Sequence, residues 1–161
     1  MGIEAALQRI DKEELAALRA SPQTIEAWLC GERSILPKRY VDLDKDWHAL
    51  HFLLTGSLEP DGTPVGDAIL GGEPLGPDVG YGPVRVISAD YAREIQQDLE
   101  AVDIRAAYQA LEPDSADLSA IYCGFDFIAE EVNFLSDYFE QMKKLYAEAV
   151  REGQAVIAYL T

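Results

Sequence analysis

The pattern of apolar positions divides the chain into segments of helical period and segments of strand period. Ile128, Val132, Leu135, Phe139, Met142, Tyr146 and Ala149 recur at alternating steps of four and three, which predicts a long helix ending at Gly153. Phe134, Tyr138 and Leu145 widen this stripe beyond a coiled-coil seam, so the expectation is burial within one domain. Gln154 to Leu160 is almost wholly apolar and reads as a strand buried on both faces. At the other end, Ile3, Ala5 and Leu7 alternate as in a strand. Asp11-Lys12-Glu13-Glu14 then forms a capping box that opens a helix to about Arg19. Ser21-Pro22 restarts the helix, Ile25, Trp28 and Leu29 give it a buried face, and Gly31 is placed to end it.

Further along, Trp47, Leu50, His51 and Leu54 share a helical face, and Gly56 suits a left-handed C-terminal residue. A helix is therefore expected from about Asp44 to Thr55, with its aspartates at the positive end of the dipole. Val84 to Ile87 is a short β-branched strand. Ser88 caps a helix over 89–101 through Tyr91, Ile95 and Leu99. Asp103 caps another through Ile104, Tyr108 and Leu111, and residues 112–115 break the pattern. These elements predict an α+β fold: a single domain over residues 1–161, with a small mixed β-sheet of three strands packed by several helices.

Residues 56–83 have a different composition, with 8 of the 12 glycines and 5 of the 8 prolines. Pro60-Asp61-Gly62 is a turn signal, and Asp67 to Leu70 has room for one helical turn. Gly80-Tyr81-Gly82-Pro83 is no dinucleotide fingerprint, because Arg85 stands where the third glycine belongs, and no Walker-type Gly-Lys-Ser/Thr occurs. A loop of this length is either functional or irregular structure wrapped on the core.

Composition narrows the function. A chain of 161 residues with 48% hydrophobic residues can bury a core without a metal or disulfide. Cys30 and Cys123 form no zinc pattern and no disulfide framework, which fits a reduced cytoplasmic protein. No apolar run is long enough to span a membrane, and Glu4 with no basic region argues against a signal peptide. The net charge of −16 is shared by both halves, −7 over residues 1–80 and −9 over 81–161. An acidic surface repels phosphate backbones and anionic lipid, which excludes nucleic acid and membrane as expected partners. It suits simple solubility, a small molecule held locally, or a basic protein partner.

Candidate chemistry gathers at Val41 to Gly56, which holds both histidines. Asp42, Asp44 and Asp46 match the first ligand positions of a calcium loop. However, Trp47 and Leu53 stand where its glycine and glutamate belong. His48 and His51 are three apart rather than the four usual for a helical zinc pair, so no metal and no cofactor is expected. The remaining catalytic reading is acid–base work by His51 held by Asp44 or Asp46. Trp47, Tyr81 and Arg85 would then line the ligand, and Gly80 and Gly82 would let it approach the backbone. The competing expectation is a buried, hydrogen-bonded His51 with His48 on the surface. Arg33, Lys38 and Arg39 form a local basic patch that can pair with the three aspartates. No nucleophile motif occurs.

The run Asp42-Leu-Asp-Lys-Asp-Trp-His-Ala-Leu-His-Phe-Leu-Leu-Thr-Gly56 resembles the signature segment of the YfbM-like family, small bacterial proteins of unknown function. Met1-Gly2-Ile3, Ala68 to Gly72, Gly80 to Pro83, Ile121-Tyr122 and Glu152 to Val156 resemble further segments in order. The chain departs from the family at His48, where other members carry Asp, and at Cys123, where Pro is expected. The resemblance implies an α+β domain in a bacterial cytosol and no known reaction, so it transfers no catalytic residue. Together these readings favour a non-catalytic binding or interaction protein, with a small-molecule enzyme using His51 as the alternative.

Overall fold

All six residues of β1, Ala5–Ile10, are buried, which requires a central strand with a packed layer on each face. In the computed structural model, which describes residues 2–35 and 39–161 with side chains for 2–31 and 39–161, β1 lies between two partners. It pairs with β2, Tyr40–Asp44, on one side and with β5, Ala155–Leu160, on the other. β5 continues to β4, Pro83–Ile87, and β4 to β3, Glu73–Asp78. The order is β2-β1-β5-β4-β3.

Every pairing is antiparallel, so the expected mixed sheet is corrected to an antiparallel one. Each connection between neighbouring strands re-enters the sheet at the end it left, and no crossover of the kind needed for a parallel pair links them. The two strands absent from the expectation, β2 and β3, are the two edges.

Side-chain alternation divides the core in two. Ala5 and Leu7 of β1 and Val156 and Ala158 of β5 face the larger half. That half is built by α3 (Trp47–Thr55), α4 (Pro64–Leu70), α5 (Ala89–Leu99), α6 (Ile104–Gln109) and α7 (Glu131–Glu152). Ala6, Ile10, Ile157 and Tyr159 face the smaller half. It is closed by α1 (Lys12–Ala20), a 3-10 turn at Pro22–Thr24 and α2 (Ile25–Ile35). Arg9 on β1 points to the larger side, where it meets Glu148 at 3.1 Å and Gln154 at 2.6 Å.

The local signals act as their chemistry requires. The Asp11 carboxylate accepts from Glu14 N–H at 2.8 Å, and the Glu14 carboxylate accepts from Asp11 N–H at 3.1 Å, which completes the capping box. Ser88 and Asp103 accept from the N–H groups of Tyr91 and Ala106. Gly153 ends α7 at φ 64°, in the left-handed region. α7 buries Leu135, Phe139, Met142, Leu145, Tyr146 and Ala149, and the Tyr146 hydroxyl donates to the Ala68 carbonyl at 2.6 Å.

Three expectations change. α2 passes through Gly31 and runs to Ile35. The glycine- and proline-rich stretch is not one loop: it contains α4, capped by Thr63 with Pro64 at its first position, and β3. Asp44 ends a strand rather than opening a helix. Of the basic patch, Arg33 and Lys38 lie outside the residues whose side chains are described, and Arg39 pairs with Glu14. No described helix is long and apolar enough to cross a membrane.

Candidate functional site

The stretch around α3 is built inward. Val41 and Leu43 are buried while Asp42 and Asp44 are exposed, the alternation of a half-buried strand. Asp44 then takes φ +47°, and its N–H donates to the Asp42 carboxylate at 2.9 Å. Asp46 sits at the N-cap of α3 without accepting a side-chain capping bond. Its carboxyl is pushed up by desolvation, then by Asp44, Glu131 and Asp126.

Trp47 is buried. Its ring stacks on His48 at 4.8 Å and on Tyr122 at 5.9 Å, and its indole N–H donates to the Ile3 carbonyl at 3.0 Å. The Ile3 N–H in turn donates to the Tyr122 hydroxyl at 2.7 Å. Trp47 thus ties the segment before β1 to α3, and Tyr81 and Arg85 belong to a different part of the molecule.

The two histidines take roles different from those expected. His48 Nδ1 accepts from Tyr122 N–H at 2.9 Å, so the ring proton is assigned to Nε2, which donates to the Leu58 carbonyl at 3.0 Å. His48 is therefore the hydrogen-bonded histidine, with both ring nitrogens engaged by backbone groups. His51 has 0% exposure, and neither of its ring nitrogens makes a hydrogen bond of ordinary geometry. Burial pushes its pKa down. The Glu59 backbone lies close enough to oppose that shift, His48 reinforces it, and Asp61 and Glu59 oppose it. Asp44 and Asp46 are not among the groups that act on this imidazole. An acid–base role would require a substrate to reach a sealed ring. Among the described residues, no group of three or more His, Cys, Asp and Glu side chains is placed to hold a metal ion.

Gly80 and Gly82 form the turn between β3 and β4. Their N–H groups donate to one Asp78 carboxylate oxygen at 2.7 and 3.0 Å, and these bonds hold the Asp78 pKa down. A Cβ at Gly80 would meet Thr161. The backbone donors that could have cradled an anion are thus occupied by the turn's own aspartate. Tyr81 is 56% exposed. Arg85 donates to the Gly72 carbonyl at 3.0 Å. Both border a crevice with Ile69, Leu70 and Tyr159, and His51 does not.

Exposed apolar side chains occur just before α7 and in its first turn. Phe127, Ile128 and Phe134 are 40%, 52% and 58% exposed. Glu131 organises the segment before α7. Its carboxylate accepts from Asp126 N–H at 2.7 Å, from Phe127 N–H at 2.8 Å and from the Tyr108 hydroxyl at 2.5 Å. Tyr108, Phe125 and Phe127 form a ring cluster with centroids about 6 Å apart. Beside it, an open groove of about 620 Å³ has a mixed lining in which Asp114, Ser115 and Ser119 join Leu118, Cys123 and Phe127. The chain from 106 to 142 holds eight acidic residues and no basic one. Phe134, read as part of the buried stripe, faces outward, as does Ile128, which precedes α7.

A family model for a domain of unknown function, DUF1877, matches residues 1–159. No curated protein matches the chain. Among solved structures, the Escherichia coli protein of unknown function YfbM is similar at 22% identity with a TM-score of 0.68, over 98% of this chain and 99% of that one. At that identity the likeness establishes the fold. The match over nearly the whole length makes the chain a member of the DUF1877 family of YfbM-like proteins.

Proposed function

We propose that this chain is a non-catalytic interaction protein that binds a basic protein partner in the cytoplasm. The observation that carries the proposal is the exposed apolar set Phe127, Ile128 and Phe134 inside a stretch of chain with eight acidic residues and no basic one. Large apolar side chains clustered on a surface mark interaction sites, and a single sign of charge around them steers a partner of opposite sign. The charge opposes nucleic acid and anionic membranes. The two free cysteines fit a reducing compartment. His51, with no exposed surface and no carboxylate hydrogen-bonded to its ring, supports a role in the core.

The test is affinity capture on the immobilised chain across a salt series, followed by reconstitution with the purified captured protein. The expected result is a basic protein retained at low salt, released as salt rises, and forming a defined complex when purified. Absence of any retained basic protein at low salt would overturn the proposal.

A further inference from the structure

The backbone partners of His48 dictate where its proton sits. A backbone N–H can only donate, so Nδ1, which receives the Tyr122 N–H at 2.9 Å, must be bare. A carbonyl can only accept, so Nε2, 3.0 Å from the Leu58 carbonyl, must carry the proton. One imidazole on α3 therefore pins two separate stretches, the loop after α3 and the segment leading to α7.

At the second stretch, Gly124 N–H donates to the Ile121 carbonyl at 3.0 Å and closes a turn. Within it Cys123 takes φ +59°, a region that non-glycine residues seldom adopt. Tyr122 is held from outside the turn. Its N–H donates to His48, its hydroxyl accepts from Ile3 N–H at 2.7 Å, and its ring stacks on Trp47.

Protonation acts differently on the two stretches. An imidazolium carries a proton on each nitrogen. At Nδ1 a new donor then faces the Tyr122 donor, and that bond is lost. At Nε2 the bond to the Leu58 carbonyl stays and becomes charge-assisted. His48 keeps part of its surface in solvent. Burial resists charge on His51, whose ring centroid is 6.5 Å away.

Among the described residues, no carboxylate pairs with the His48 ring. The loop that carries Leu58 brings Glu59 and Asp61, and Asp61 accepts from Thr63. Just before α3, Asp46 is acted on by Asp44, Glu131 and Asp126, and Lys45 lies with the Tyr122 hydroxyl beside Gly2. α4 and α6, packed on α3, bring Asp67, Arg105 and Tyr108. These bond to Tyr91, Asn133 and Glu131.

We propose that His48 is an acid-operated latch. A proton taken from solvent at Nδ1 frees the Tyr122 N–H and lets the 121–124 turn leave α3, while the loop at Leu58 stays pinned. Ile121, Cys123 and Gly124 line part of the open groove, so mild acid reshapes that groove.

The test is hydrogen exchange on the whole chain at about pH 7.5 and about pH 5.5, either side of the range where free histidine titrates. Rates are corrected for the intrinsic effect of pH. Exchange over 121–124 is expected to rise about tenfold in acid, as for the loss of one hydrogen bond, with little change over 57–59. His48→Asn keeps an acceptor at the Nδ1 position and cannot take up the proton, so its 121–124 turn should stay protected at both pH values. His48→Gln keeps a donor near the Nε2 position and lacks the Nδ1 acceptor, so its turn should exchange fast at both. In the wild-type chain, imidazole nitrogen-15 spectra at the higher pH should show Nδ1 bare and Nε2 protonated.

A protonated Nδ1 at the higher pH would overturn the latch, as would equal protection of 121–124 at both pH values. So would the same acid response in His48→Asn, which would assign the release to the Glu131 carboxylate that holds residues 126 and 127. Joint loosening of 57–59 and 121–124 would also overturn it and point to a wider opening around His51.

Discussion

The α3 region and the face around Glu131 use similar side chains in opposite ways. At α3, the histidine, tryptophan and tyrosine groups turn inward: Trp47 and His48 are engaged by backbone groups of Ile3, Tyr122 and Leu58. Around Glu131, the polar group is the support and the apolar groups turn outward: three donors converge on one carboxylate while Phe127, Ile128 and Phe134 reach solvent. Residues of high chemical potential can thus be wholly consumed in holding a fold. On the proposed reading, an ordinary phenylalanine in an acidic stretch is the better indicator of an interaction surface.

The first way to break this comparison is Trp47→Ala. If α3 is a structural clamp, the substitution removes two ring stacks and the bond to Ile3. It should cost about 3–5 kcal/mol in chemical denaturation. A near-neutral result would mean the clamp is dispensable and would reopen α3 as a ligand site.

Next in size is Glu131→Ala, which strips the support from the opposite region. Three donors lose a charged acceptor, and a loss of about 1–3 kcal/mol is expected. Hydrogen exchange should rise over residues 121–130 while α3 stays protected.

His51→Leu tests the sealed ring. The substitution removes two buried unpaired nitrogens at similar volume, so stability at pH 7.5 should change by less than about 1.5 kcal/mol. The pH dependence is more informative. The folded pKa of His51 is lowered, so below about pH 6.5 the unfolded chain takes up a proton that the folded chain refuses. The His51 contribution is therefore intact above that pH and lost as pH falls. The variant should flatten the acid limb of a stability-against-pH curve, and an unchanged limb would contradict the buried, neutral assignment.

The smallest expected change in stability is at Phe134→Ser, within about 0.5 kcal/mol for an exposed position. Circular dichroism and denaturation should match wild type while capture of the proposed basic partner falls. Substantial unfolding would show that Phe134 packs into the core.

The elements visible in the sequence are those whose signals are local. Asp11 with Glu14, Ser88, Asp103, Gly56 and Gly153 each act within one turn of chain, and each sits where its capping chemistry places it. The edge strands carry weaker local signals. β3 is Glu-Pro-Leu-Gly-Pro-Asp and nearly all exposed. Its two prolines suit an edge that must refuse further pairing, and they hide the strand as a loop. In β2, Asp42 and Asp44 occupy the exposed half of a true alternation, yet aspartate before an apolar run is also the mark of a helix start. The burial of His51 and the consumption of the Gly80 and Gly82 donors by Asp78 depend on tertiary placement, which spacing does not encode. The family resemblance was legible along the chain, and it carries the fold without a reaction.

The pairing of β1 with β5 has a consequence for how the chain is made. Arg9 and Gln154, joined by a hydrogen bond, are 145 positions apart, and the strands beside them form the middle of the sheet. A ribosome must release residues 155–160 before that middle can close. Until then Ala5–Ile10, which the finished fold buries on both faces, has only β2 to pair with. Folding should therefore be completed late and slowly, as expected for a topology that must close a long loop before its main contacts form. During synthesis, that first strand is the segment a chaperone would be expected to shield.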